Sequence, residues 1–223
     1  MTDGAPFRIA IVCLGNICRS PMAQVVLEDR LERAGLADQV EVVSAGTGDW
    51  HVGEAMDRRA AATLTDAGYD ATRHIAQTFT TDWYAEHDLL LAMDASNRAD
   101  ITDLAPTVEA QGQVRMFREF DPEASDGDDE VPDPWYGGAE GFAEVLAMVE
   151  RTADEIISRL PELGRAFRSR AGSERGIRAR SGKAEEEGAP GSATTDENAA
   201  GRDAGPRSRR EGPEGTSSPG LKR

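Results

Sequence analysis

The chain has 223 residues, 41 of them Asp or Glu against 25 Lys or Arg, for a formal net charge of −16. Residues 1–160 carry −19 and the remainder +3. A surface that acidic repels a phosphate backbone, which excludes nucleic acid as a partner. No apolar run approaches the roughly 18 residues that a bilayer-spanning helix needs, so no membrane contact is expected either.

The N-terminus has no basic segment followed by a long apolar stretch, which points to a cytoplasmic protein. Two cysteines are too few for a disulfide scaffold or, unaided, a zinc site, so reactivity is the more direct explanation for them. Composition also divides the chain. Beyond residue 160 Gly, Ser, Pro and charge come to prevail, as in "GPRSRREGPEGTSSPGLKR", and such a segment cannot bury enough apolar surface to offset its ordering entropy. Residues 161–223 are therefore expected to be a disordered tail. Residues 1–160 are expected to be a single domain, long enough for a real core.

In chain order, "FRIAIVCL" (7–14) is a nearly continuous apolar run, as in a strand buried on both faces. The pattern then predicts a helix from Ser20 to Ala34, with Ser20 as N-cap, Pro21 at the first helical position and Gly35 ending it. "VEVVSAG" (40–46) reads as a strand, "GEAMDRRAAATLTDAG" (53–68) as a helix and "DLLLAM" (88–93) as a strand. "DASNRADITDL" (94–104) reads as a helix, "QVRMFREF" (113–120) as a strand and "AEGFAEVLAMVERTADEIISRL" (139–160) as a helix. This alternation predicts an α/β fold: four parallel strands flanked by helices on both faces, with right-handed crossovers. Ligands of such sheets bind beyond the carboxyl ends of the strands.

The loop at one such end is "CLGNICR" (13–19), directly ahead of "SPMAQ". A strand, a tight loop and a helix N-terminus aim several backbone N–H groups inward and form a nest for an anion. Leu14, Gly15, Asn16, Ile17 and Cys18 would supply those amides, with Gly15 and Asn16 tolerating positive φ. Arg19 would close the far side with a guanidinium fork on phosphate oxygens. The chain has no GxxxxGK[ST], so this is not a nucleotide-binding loop. Amide dipoles and a neighbouring arginine are the influences that turn a thiol into a nucleophile, and a nucleophilic Cys13 inside an anion nest suits attack on a phosphoryl group.

"VCLGNICRSPMAQ" resembles the signature of the low-molecular-weight protein tyrosine phosphatases, and the likeness extends through "SAGTGDWHVG" and "DPWYGG" to about residue 160. The resemblance implies the phosphatase-I-like fold and a reaction through a phosphocysteine at Cys13. It implies that Arg19 holds the phosphoryl oxygens and that Asp133 is the general acid and then the base. Chemistry demands such an acid, because a phenolate leaves a phosphate monoester only with a proton on the bridging oxygen. Within "DGDDEVPDPWYGG" only the resemblance selects Asp133.

By the same resemblance Trp50, Trp135 and Tyr136 form the rim around the phenyl ring, with Trp135 where the family commonly has Tyr. Asn16, Ser20, Ser44 and His74 support the loop, and Ser20 reaches the Cys13 sulfur. Cys18 is the expected resolving thiol, able to form a disulfide with a Cys13 sulfenic acid before overoxidation. No metal or other cofactor is implied. The implied partners are tyrosine-phosphorylated proteins and a cognate tyrosine kinase, and the implied state is a monomer.

Three other readings compete. An arsenate reductase of the same fold needs a cysteine outside the loop, and none follows Cys18. A phosphoarginine phosphatase would resemble this chain with a Thr in place of Ile17. A non-catalytic phosphoprotein-binding module would need neither Cys13 nor Asp133.

Overall fold

Strand β1 (Phe7–Cys13) buries side chains on both faces, Ile9 and Ile11 on one and Ala10 and Val12 on the other. That explains why its sequence is continuously apolar instead of alternating. The computed structural model describes residues 5–125 and 127–185, and of 166–185 the backbone. One unit, Met1–Arg178, contains the sheet and its helices; of the second, Ala179–Arg223, the described part is helical backbone.

The elements follow in the order β1, α1 (Arg19–Ala34), β2 (Val40–Gly46), α2 (Arg58–Asp66), α3 (Trp83–Glu86), β3 (Leu89–Ala92), α4 (Ala95–Asp103), α5 (Val108–Gln111), β4 (Val114–Met116) and α6 (Ala139–Glu185). The four strands are parallel in the order β2-β1-β3-β4. Cys13 pairs with Gly46 across β1 and β2, and Val12 pairs with Ala92 across β1 and β3. The chain leaves β1 toward β2 on one side and returns to β3 on the other. The loops after β1 and β3 therefore diverge and open a crevice at the carboxyl edge.

One apolar layer packs Ile9, Ile11, Leu89 and Leu91 against Val26 and Leu27 of α1, Leu64 of α2 and Phe142, Val149 and Ile156 of α6. The opposite layer packs Ala10, Val12, Leu90 and Ala92 against Phe79, Trp83, Tyr84, Ile101 and Ala110. Helices thus cover both faces, as the alternation of elements predicts.

Three local expectations are corrected. "QVRMFREF" is strand only over Val114–Met116, after which Phe117–Phe120 turns as a 3-10 helix. Three residues per turn put Phe117 and Phe120 on one side, where both are buried. Ser20 is not the N-cap of α1: the helix begins at Arg19, and the fully buried Ser20 hydroxyl is used by the loop. The helix expected to stop at Leu160 continues as α6 to Glu185, through Pro161, with Leu163 joining the core. Gly35 does end α1, at φ 69°, and Leu36 N–H returns to Leu31 O at 2.9 Å. Residues 186–223, most of the expected tail, lie outside the described residues.

Ile11 lies at the centre of the sheet with no exposed surface. Ile11→Ala is expected to lower unfolding free energy by about 2–5 kcal/mol, read from urea denaturation.

Candidate active site

The Cys13–Arg19 loop curls over the carboxyl end of β1. Its backbone carbonyls at Cys13 and Leu14 accept from Thr47 and Gly48 N–H, both at 2.9 Å, and Ile17 O accepts from Asp57 N–H at 2.8 Å. With those carbonyls bonded to neighbouring segments, the Asn16 amide turns inward to the Cys13 sulfur. The Cys13 sulfur accepts from Asn16 N–H at 3.2 Å and from the Ser20 hydroxyl at 3.0 Å.

Asn16 is the only non-glycine with positive φ among the described residues, at 54°. Its Nδ2 donates to Ser20 Oγ and Ser44 Oγ, both at 2.9 Å, and its Oδ1 accepts from Gln77 N–H at 2.9 Å. Ser44 in turn donates to Gln24 Oε1 at 2.7 Å, and His74 Nε2 meets Asn16 O at 2.7 Å. Asn16, Ser20 and Ser44 have no exposed surface, so each needs the partners it has.

Gly15 does not use the positive φ that its residue type allows. Its reason is close approach: a Cβ there would lie 3.1 Å from the His51 ring. At Gly46 the constraint is stronger, because a Cβ would lie 2.8 Å from Leu14 O and 3.2 Å from Asn16 N.

Arg19 is nearly fully buried. It donates to Asp94, to Val131 O at 3.2 Å and to Asp133 Oδ2 at 3.3 Å. Burial works against its charge, yet Cys13, Asp94 and Asp133 outweigh burial and hold its pKa above the usual value. The other Asp133 oxygen accepts from Trp135 N–H at 3.0 Å. Between these groups lies a cleft of about 250 Å³ lined by Cys13, Leu14, Gly15, Ile17, Cys18, Arg19, Asp133, Trp50, His51, Trp135 and Tyr136. The arrangement presents a sulfur, a curled backbone loop, a cation and a carboxyl around one volume beneath exposed aromatics.

The sequence profile described as low molecular weight phosphotyrosine protein phosphatase matches residues 8–166. The chain belongs to this family. A low molecular weight protein-tyrosine-phosphatase of Streptomyces coelicolor is 46% identical over 156 residues, 70% of this chain and 94% of that one. Low molecular weight protein-tyrosine phosphatase A of Mycobacterium tuberculosis is 44% identical over 145 residues, 65% of this chain and 86% of its own length. Among solved structures, a low molecular weight phosphotyrosine phosphatase of Vibrio cholerae superposes with a TM-score of 0.65 at 32% identity, covering 71% of this chain and 99% of that one.

The chain carries Cys13 and Arg19 at the two ends of the strand-to-helix loop after β1, in a P-loop-like position. The fold gathers the residues that the sequence pointed to, with one difference: Cys13, Leu14, Gly15, Ile17, Cys18, Arg19 and Asp133 line the cleft with Trp50, Trp135 and Tyr136 at its rim, whereas Asn16, expected in the nest, is fully buried behind the loop with Ser20, Ser44 and His74. Sequence reasoning missed Asp94, His51, Gln24, Gln77 and the pair Asp57 and Arg59. Asp94 at the start of "DASN" carries a helix-capping signal and does cap α4, accepting from Asn97 N–H at 2.7 Å. Its second partner, Arg19, is 75 residues away and leaves no local signal. His51 sits between Trp50 and Trp135, 6.3 Å from each ring, with Nδ1 on Glu54 at 2.8 Å.

The two cysteines differ. Burial, then the negative charges of Asp57, Cys13 and Asp133, push the Cys18 thiol up to about 12, which leaves it protonated and inert at neutral pH. Iodoacetamide at pH 7 is therefore expected to add once to the folded chain, at Cys13, with inorganic phosphate protecting. Two adducts by intact mass would contradict this asymmetry.

His74 has its pKa lowered by burial, with the hydrogen bond to Asn16 O opposing. The folded chain then holds a proton here less readily than the unfolded chain, whose histidine titrates near ~6.5. The stabilisation is complete above that value and is lost as pH falls through the folded pKa. His87, also lowered by burial, acts in the same direction. Unfolding free energy should fall between pH 7 and 5, and His74→Gln should flatten that slope in denaturant titrations.

Proposed function

We propose that this phosphatase hydrolyses phosphotyrosine in proteins by way of a phosphocysteine, with Cys13, Arg19 and Asp133 as the reacting set. The observation that carries the reading is the Cys13 sulfur, which two donors hold as an acceptor at the floor of a cleft that Arg19 and Asp133 close. The loop amides and Arg19 take the three phosphoryl oxygens, and the sulfur attacks phosphorus in line with the tyrosine oxygen. As the S–P bond forms and the P–O bond breaks, Asp133 passes its proton to the departing phenol oxygen. A water then attacks phosphorus, its proton returns to Asp133, and phosphate leaves with the sulfur restored.

The aromatics set the depth of the cleft. Trp50, Trp135 and Tyr136 form walls for a phenyl ring, and a serine phosphate is too short to reach the sulfur past them. Ile17, an apolar cleft residue where a phosphoarginine enzyme would carry Thr, favours the aryl ester.

Cys18 has a second part in this reading. If Cys13 is oxidised to a sulfenic acid, its charge no longer raises the Cys18 pKa. The two groups then condense, Cys13–SOH and Cys18–SH giving a disulfide and water. The substrates are tyrosine-phosphorylated proteins, supplied by a cognate tyrosine kinase, and the working state is a cytoplasmic monomer.

Hydrolysis of p-nitrophenyl phosphate and of phosphorylated peptides tests the assignment. Cys13→Ser should abolish turnover, and the wild type should release phosphate from tyrosine phosphate but not from serine phosphate or phosphoarginine. Turnover that survives Cys13→Ser would refute it.

A further inference from the structure

Asp133 is carried on the span Val131–Pro132–Asp133–Pro134, which follows a stretch with no strand or helix among its described residues. Two arginines outside the cleft grip the two ends of this span. At the N-terminal end, the nearly fully buried Arg118 donates from Nη1 to Glu130 O at 2.8 Å and to Asp128 Oδ1 at 3.3 Å. Its Nε meets the Asp121 carboxylate at 3.0 Å, and Arg151 binds that same carboxylate from α6. One residue further on, Val131 N–H donates to Met93 O at 2.7 Å, which ties the span to the end of β3.

At the C-terminal end, Arg59 of α2 donates from Nη1 to Trp135 O at 3.1 Å. Its guanidinium lies 5.2 Å above the Trp135 ring and 4.8 Å above Phe142. Arg59 is itself fixed by Asp57, at 3.1 Å, whose backbone N–H reaches Ile17 O in the anion loop. The carbonyls of residues 130 and 135 are thus pinned, and the prolines at 132 and 134 freeze φ between them. Few torsions remain by which the Asp133 carboxyl could wander.

We propose that Arg118 and Arg59 are positioning residues for the general acid, a clamp that sets where the Asp133 carboxyl meets the leaving oxygen. The inference rests on the reading of Asp133 as that acid. Arg19 and Trp135 N–H hold the two carboxylate oxygens. A bound phosphoryl group claims Arg19, and the carboxyl then depends on its backbone for placement. Misplacement by about 1 Å costs on the order of 10²-fold in rate. Lysine cannot replace either arginine, since each uses its planar fork on several acceptors at once.

The test exploits the leaving group. Full-length wild type, Arg59→Gln, Arg118→Lys, Asp133→Asn and the doubles with Asp133→Asn are compared by kcat/KM on p-nitrophenyl phosphate, whose phenolate leaves readily, and on phenyl phosphate, whose phenolate needs the proton. Asp133→Asn is expected to lose roughly 10²-fold or more on phenyl phosphate and much less on the nitrophenyl ester. Each clamp variant should show the same bias, about tenfold against threefold or less, and should add no further loss in the Asp133→Asn background.

Equal losses on both esters, or losses that add to Asp133→Asn, would overturn the clamp while leaving the acid assignment intact. No leaving-group bias in Asp133→Asn itself would overturn that assignment and the clamp with it. Should Arg118→Lys fail to fold, Arg59→Gln decides, because that side chain is 41% exposed and lies outside the core.

Discussion

The site depends on one side chain in an unfavourable backbone conformation. Asn16 adopts the left-handed region with no exposed surface, and its amide connects α1 through Ser20, β2 through Ser44 and the segment before α3 through Gln77. Asparagine tolerates this φ better than most residues, but the conformation persists only because the surroundings over-determine it. The same residue supplies the N–H that meets the Cys13 sulfur, and the Ser20 hydroxyl that it orients supplies the second donor. Sulfur geometry and loop geometry are therefore one property. A buried network of this kind is stable when complete and costly when a member is lost, since each orphaned partner has no water to replace it.

The sheet was legible because β1 and β3 are buried on both faces and so write themselves as unbroken apolar runs. The loop was legible because a phosphate nest needs contiguous residues: Cys13 through Ser20 all lie within a single strand-to-helix junction. What stayed hidden is whatever joins distant segments. Nothing near Asp94 announces Arg19, and nothing in "DRRAAATL" announces that Arg59 will lie on Trp135. The turn at Phe117–Phe120 was hidden for a different reason, because the run "VRMFREF" is apolar enough for a strand and its switch to three residues per turn is set by where the two phenylalanines find space. Ser20 misled because a serine ahead of a proline is also what an N-cap looks like.

An acidic domain that binds a dianion must win at short range. Repulsion from a net −19 decays over about 10 Å at 0.1 M salt, whereas the nest and Arg19 act at contact. Residues 1–160 contain no lysine, so every permanently cationic side chain among them is an arginine. That choice fits what the arginines do: Arg19, Arg59 and Arg118 each hold two or more acceptors from different segments at once. A planar fork serves such junctions and a point charge does not. Of these three, Arg19 alone lines the cleft; Arg59 and Arg118 spend their charge on carboxylates and carbonyls.

Burial, reinforced by the same excess of acid, sets Cys18 apart within the loop. At Cys18 burial comes first, and Asp57, the Cys13 sulfur and Asp133 then add to it in opposing a negative charge there. Two thiols that feel each other this way cannot both ionise readily. Placing both cysteines in one curl of backbone therefore does not produce two nucleophiles. It produces one whose sulfur accepts from Asn16 N–H and the Ser20 hydroxyl, and one kept protonated by burial and by the negative charges around it. That division of labour lets a chain with two cysteines use one without risking the other.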